Sequence, residues 1–189
     1  MDTDRIKRMG RPRGMPFRLN KIGHIALYVA DIERSTRFYT EVLGMQISDI
    51  YAGNELPGGA VFLRCNADHH AANFLESTKF EGMHHVAYEM RDLNHLQTTL
   101  DHLARHGYRL HWGPGRHGPG HNIFTYHRNP DDQIIELFTE LDKMMDESLG
   151  YFDPRPWHRD KPQKPKTWVA MPRDIWGPPP TPDYLRQRD

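Results

Sequence analysis

The sequence predicts an α+β fold in which two βαβββ modules pack as one domain around a concave site. Three observations carry this. His85-Val-Ala-Tyr-Glu-Met-Arg-Asp-Leu repeats His24-Ile-Ala-Leu-Tyr-Val-Ala-Asp-Ile, so that His24 pairs with His85, Ala26 with Ala87, Asp31 with Asp92 and Ile32 with Leu93, each 61 residues apart. In each copy a strand-like run precedes the aspartate and helical spacing follows it. Each helix then ends near a glycine, Gly44 or Gly107, and short β-like runs follow. A half-open sheet that occurs twice joins its twin to bury one face and enclose a hollow.

The first module spans about 21–79. Residues 22–30 read as a strand, with Ile25, Leu27 and Val29 on one face and His24, Ala26 and Tyr28 on the other. Asp31 N-caps a helix over 33–43, whose apolar side is Ile32, Phe38, Tyr39, Val42 and Leu43. Strands are expected at 45–51, 60–65 and 70–76, with a turn over 53–59 marked by Asn54, Pro57 and paired glycines. The second module, about 82–141, repeats the order with strands at 108–112, 122–128 and 133–140. Between the first two of these, Gly113-Pro-Gly-Arg-His-Gly-Pro-Gly-His-Asn reads as a loop that carries His117 and His121.

Two segments flank this domain. Residues 1–20 are basic without apolar period and read as a solvated arm or a subunit contact. Residues 142–189 hold nine of the 15 prolines together with Trp157, Trp168 and Trp176. Disordered tails lack aromatics, so an extended segment strapped over the domain or a partner subunit is expected, in a homo-oligomer.

Charge excludes some functions. Lysine plus arginine number 25 and aspartate plus glutamate 25, so no net charge draws the chain to nucleic acid or an anionic membrane. No apolar run approaches the roughly 18 residues of a membrane span. The N-terminal residues lack the apolar stretch of a secretory signal. The single Cys65 excludes an internal disulfide and a thiolate metal site, and fits a reducing cytoplasm.

The 13 histidines point to chemistry, because imidazole ligates metals and titrates near neutrality. A lone strand histidine is more often a packed, hydrogen-bonded residue. His24 and His85 are duplicated symmetrically beside small Ala26 and Ala87, which leaves room for a ligand. Glu136 lies in Gln133-Ile-Ile-Glu-Leu-Phe, where a carboxylate is costly unless it is paired, metal-bound or on an exposed edge. Two histidines and one carboxylate make the facial triad of non-haem iron oxygenases. Tyr126 and Glu136 are equidistant from Asp131, so a symmetric hairpin sets them opposite each other, as packing or as a phenol beside the metal. His117 and His121 on the glycine-rich loop suit substrate contact, and His69-His70 is either a surface pair or part of the site. His95, His102, His106, His111, His127 and His158 read as surface residues.

Five motifs carry a resemblance over about 21–141: Gly23-His24-Ile-Ala-Leu, His69-His70, His84-His85-Val-Ala-Tyr-Glu, Gly115-Arg116-His117-Gly-Pro-Gly, and Asn122-Ile-Phe-Thr-Tyr126 leading to Ile135-Glu136-Leu. Together they resemble the vicinal oxygen chelate superfamily, and within it the single-domain type I extradiol ring-cleavage dioxygenases. The resemblance implies a half-open, barrel-like mixed sheet around a metal. It implies His24, His85 and Glu136 as ligands of Fe(II), or of Mn(II), with His69 and His84 outside the triad. It also implies His70 as acid/base and His117 and Tyr126 as groups that position substrate oxygens. Substrates would be a catechol-type diol and O2, in aromatic catabolism. The charges agree: Fe(II) and Glu136 sum to +1, which a catecholate monoanion neutralises. Two other functions remain on this fold. A glyoxalase-like lyase or isomerase would want a second carboxylate, for which Glu76 is the candidate. A drug-sequestering protein of the bleomycin-resistance type needs no triad.

Overall fold

A computed structural model describes residues 1–9, 14–56, 58–170, 174–177, 179–182 and 184. Arg11 and Arg13 of the basic arm and Pro57 of the expected turn lie outside the described residues. The first module contributes strands β1 (Leu19–Val29), β2 (Gln46–Tyr51), β3 (Ala60–Arg64) and β4 (Ala72–Glu76). The second contributes β5 (Gly82–Met90), β6 (Trp112–Arg116), β7 (Ile123–Arg128) and β8 (Ile134–Thr139). The tail adds β9 (Lys166–Trp168) and β10 (Asp174–Ile175). All ten form one mixed sheet, in the order β10-β6-β7-β8-β5-β1-β4-β3-β2-β9. The sheet is not closed into a barrel; its edges are β9 and β10.

The repeat governs the topology. β1 and β5 run antiparallel at the centre, and each pairs in parallel with the last strand of its own module, β4 or β8. The described helices are α1 (Thr3–Met9), α2 (Ile32–Arg37), which continues as a π-helical turn over Phe38–Val42, and α3 (Leu93–Arg105). Asp31 accepts the Arg34 amide and Asp92 the His95 amide, each at 2.9 Å, so both predicted N-caps form. Such a cap contributes about 1 kcal/mol.

One face of the sheet is apolar and covered by helices. Ile32 of α2 and Tyr39 of the π turn pack on Val61, Leu63 and Phe74, joined by Ile25, Leu27 and Val29. Leu96 and Leu103 of α3 pack on Met90, Ile123 and Leu137. The alternate residues of the same strands therefore face inward, and these include His24, Ala26, His85, Glu136 and Tyr126. Period two thus decides which side chains meet the site.

Phe38, Val42 and Leu43, expected on the buried side of the first helix, are exposed, because the chain turns into a π-helical segment at Phe38, and beyond this the fold departs from the expectations above at four places. The strand expected at 108–112 lies at Trp112–Arg116, within the glycine-proline segment. A register shift between Trp112 and Gly115 absorbs the irregularity, and Gly113 has φ +91° with the Phe124 carbonyl 2.7 Å from where a Cβ would sit. A strand with so few side chains shows no periodicity. The strand expected from residue 70 begins at Ala72. The N-terminal arm forms the exposed helix α1, started by Asp2 accepting the Arg5 amide at 3.0 Å.

The fourth departure is that His127 and His158, expected at the surface, are buried. Burial, with His111 nearby, pushes the His127 imidazole down to about 4 from 6.5. The sign follows from linkage. Between pH 6.5 and 4 the unfolded chain takes up this proton and the folded one does not, so stability falls as the solution is acidified through that window. His127→Leu is expected to remove up to about 3 kcal/mol of that loss. Urea midpoints at pH 7 and pH 5 check this: a wild-type drop unchanged in the variant would assign the acid sensitivity elsewhere.

Candidate metal centre

A transverse row across β1, β5, β8, β7 and β6 sets His24 opposite Ala87, Ala87 opposite Glu136, Glu136 opposite Tyr126, and Tyr126 opposite Trp112. In the neighbouring row Ala26 lies opposite His85. Each repeat histidine thus faces the alanine of the other module, and the methyl groups leave the imidazoles space to converge. Gly23 serves the same end, because a Cβ there would strike the Phe138 ring at 2.2 Å, and that ring packs 5.1 Å from the His24 ring.

The three donors meet at one point. His24 Nε2 and His85 Nε2 each lie 3.0 Å from Glu136 Oε2 and 3.3 Å from each other. A divalent ion about 2.1 Å from three mutually cis ligands holds them about 3.0 Å apart, so this triangle fits one face of an octahedral site. All three residues are at most 5% exposed. Burial would push the Glu136 carboxyl up, yet the two imidazoles hold it well below the usual carboxylate range. Burial moves His85 the other way, and Glu136 offsets part of the shift. The centre therefore offers one carboxylate charge and a neutral His85 nitrogen.

Its surroundings orient the ligands. Asn122 Nδ2 donates to Glu136 Oε1 at 2.9 Å, and His84 Nδ1 and His85 Nδ1 share a hydrogen bond of 2.6 Å. Partners of this kind typically change metal affinity about 10–100-fold. Asn122→Ala is therefore expected to weaken metal binding by a factor in that range. Competition with a chelator measures it, and wild-type affinity in the variant would make Asn122 a bystander. Asn122 was quoted in a motif but given no role, because that role depends on a contact 14 residues along the chain and across a hairpin.

The other three predicted residues gather here too. His117 Nε2 is 2.9 Å from Tyr126 Oη, and His117 stacks on Phe124 with ring centroids 3.8 Å apart. The Tyr126 ring lies 5.3 Å from that of His85, and the His70 ring 4.3 Å from that of His24. Burial, with the Glu136 charge nearby, holds the Tyr126 phenol well above its ordinary range. Burial pushes His117 down to about 4, against a smaller opposing pull from Glu136, and pushes His70 well below its usual value. All three are thus uncharged at neutral pH. Glu76, the carboxylate a lyase would want, caps α2 by accepting the Ile32 amide at 3.1 Å and is not in the cluster.

A second buried group lies apart. His121 Nδ1 and His158 Nε2 meet different oxygens of Asp142, at 2.7 and 2.8 Å, and Trp157 Nε1 approaches Oδ1 at 3.3 Å. This network ties the glycine-rich loop to the tail. His121 was expected to contact substrate and His158 to be on the surface; the structure gives both to Asp142.

Residues 21–137 match the family model of the Glyoxalase/Bleomycin resistance protein/Dioxygenase superfamily. The chain belongs to this superfamily. Among relatives of the superfamily, Metapyrocatechase 2 of Cupriavidus necator is 31% identical over 134 residues, covering 69% of this chain and 38% of that protein. An iron-dependent extradiol dioxygenase of Rhodococcus jostii is 29% identical, covering 75% of this chain and 51% of that protein. Among solved structures, a Mn(II)-bound glyoxalase from Novosphingobium aromaticivorans is 28% identical with a TM-score of 0.71, over 90% of this chain and 51% of that one. This superfamily chain spans about half or less of the length of these relatives.

Proposed function

We propose that the chain is a metal-dependent extradiol dioxygenase that opens a catechol-type ring with O2 in aromatic catabolism. The observation that carries the reading is the His24–His85–Glu136 triangle with His70, His117 and Tyr126 around it. The similarity to extradiol enzymes supports it, and Glu76 engaged in capping α2 counts against the lyase. A purely sequestering protein has no use for three converging donors. Fe(II) is the metal we assign, with Mn(II) as the alternative; when bound, it would hold both diol oxygens and O2 side by side.

The chain's own groups do the rest. With its Nε2 proton donated to Tyr126 Oη, neutral His117 leaves the phenol proton free for a substrate oxygen. That phenol resists ionisation beside Glu136, so it stays a donor. His70 is neutral and can take a proton from the diol and return it to the opened product. The wall of strands β6 to β8 keeps this exchange away from bulk water. A cytoplasmic location fits the reading, and exposed Phe38, Val42 and Leu43 beside α2 offer a face for a homo-oligomer.

Anaerobic reconstitution with Fe(II), metal analysis and a panel of catechol, 3-methylcatechol, 2,3-dihydroxybiphenyl and a fused-ring diol test the proposal. Yellow ring-cleavage product from at least one diol is expected. Full iron occupancy without cleavage of any of them would overturn it. His70→Ala should keep its metal and still bind catechol while turnover falls about 10²–10⁴-fold. Unchanged turnover would remove His70 from proton transfer.

A further inference from the structure

We infer that Asn73 is a specificity-determining residue, whose side-chain amide accepts a hydrogen bond from a hydroxyl that the substrate ring carries in addition to its diol. This rests on reading the centre described above as a diol site.

Period two places Asn73 there. On β4, Ala72 and Phe74 join the helix-covered core with Val61 and Leu63 of β3. Asn73 and Phe62, which alternate with them, face the other side of the sheet, the side that holds the metal triangle. A transverse row on that side runs from Asp49 on β2 through Phe62, Asn73 and Ala26 to His85 on β5. Paired strands lie about 4.8 Å apart, so Asn73 stands one strand from Ala26 and about 10 Å from His85. The Phe62 ring lies 5.3 Å from that of His70, which lies 4.3 Å from that of His24. Asn73 is thus set between the small Ala26 methyl and an aromatic ring, beside the space into which the donors converge.

An amide is costly in that position. Asn73 is 5% exposed, and its Oδ1 has no hydrogen-bond partner among the described residues. A buried acceptor left unpaired destabilises a fold, and a leucine of nearly the same shape removes that cost. The other polar members of the row are engaged. Asp49 accepts the Lys166 amide at 2.9 Å through Oδ1 and Trp168 Nε1 at 2.6 Å through Oδ2. His85 is held by His84 and Glu136. Of this row, Asn73 alone keeps a buried acceptor with nothing on it.

The unpaired atom specifies what completes it. An acceptor needs a donor, which selects a hydroxyl over a methyl group or an unsubstituted ring. The row carries one acidic side chain and no lysine or arginine, so a neutral substituent suits it and a carboxylate does not. With the diol oxygens at the His24–His85–Glu136 triangle, a ring standing over the Ala26 methyl turns its far edge to Asn73. A site that hydrogen-bonds a substrate hydroxyl rejects the analogue without it, because the analogue leaves a buried group unpaired. The substrates this selects are trihydroxylated rings rather than alkyl catechols.

Two pairs of nearly isosteric diols test the inference: pyrogallol against 3-methylcatechol, and 1,2,4-trihydroxybenzene against 4-methylcatechol. Full-length chain loaded with Zn(II) is titrated with each by anaerobic calorimetry. In at least one pair the wild type should bind the trihydroxy compound about 10–100-fold more tightly. Asn73→Leu and Asn73→Ala should each bring that ratio to within about threefold of unity. The thermal midpoint of Asn73→Leu should stay level or rise, and a drop of about 5 °C or more would make the amide a structural group and overturn the inference. No preference in the wild type, or one that persists in both variants, also overturns it. Ring cleavage by the Fe(II)-loaded protein without that preference sinks the role of Asn73 and leaves the dioxygenase reading standing. The preference in a protein that cleaves no diol sustains Asn73 and sinks the dioxygenase reading alone.

Discussion

Replacing His24, His85 or Glu136 by alanine is expected to remove the metal and ring cleavage together while the domain stays folded. Each residue supplies one of three converging donors, and two remaining donors cannot define the face of an octahedral site. Glu136→Ala also removes the one carboxylate of the three, whose charge would attract a divalent ion. Metal content should drop from about one ion per chain to less than about a tenth. Folding should survive, because both helix-covered cores, around Phe74 and around Leu137, lie on the opposite face of the sheet. Metal analysis alongside thermal melts followed by circular dichroism checks both halves. Full occupancy in any one variant strikes that residue from the ligand set.

Ending the chain after Asp146 is expected to lower the thermal midpoint by about 10 °C or more. The truncation strips β9 from β2 and β10 from β6, so two long edges lose their partners and become templates for aggregation. It removes Phe152 and Tyr184, which are 1% and 6% exposed and worth about 1.5–3 kcal/mol each. It also takes His158 and Trp157 from Asp142, and leaving a buried carboxylate short of hydrogen-bond partners costs about 1–3 kcal/mol or more. A loss of about 5 kcal/mol in a domain this size lowers the midpoint by about 10–20 °C. Sedimentation and a thermal scan of the truncated chain test it. Unchanged stability and assembly would make the tail dispensable for both.

The sequence by itself determined the repeat, and with it most of the fold. Two strand-Asp-helix units of near-identical pattern can pack only as twins, and period two then puts His24, His85 and Glu136 on one face. The Tyr126–Glu136 pairing was legible for the same reason, since a short hairpin sets its own register. These signals are local, or repeat at one fixed spacing, so they are visible along the chain.

Tertiary structure alone decided the partners. The strand Trp112–Arg116 was unreadable because glycine and proline carry no apolar alternation; pairing with β7 makes it a strand. Asn122 meets Glu136 only across a hairpin. His121 and His158 meet Asp142, and Trp168 meets Asp49, through contacts separated by 21, 16 and 119 residues. Histidines that look alike in sequence thus meet Glu136, a neighbouring imidazole or Asp142 according to what faces them. A side chain's chemistry depends on the charges within about 4–6 Å, and chain folding chooses those neighbours from anywhere along the sequence.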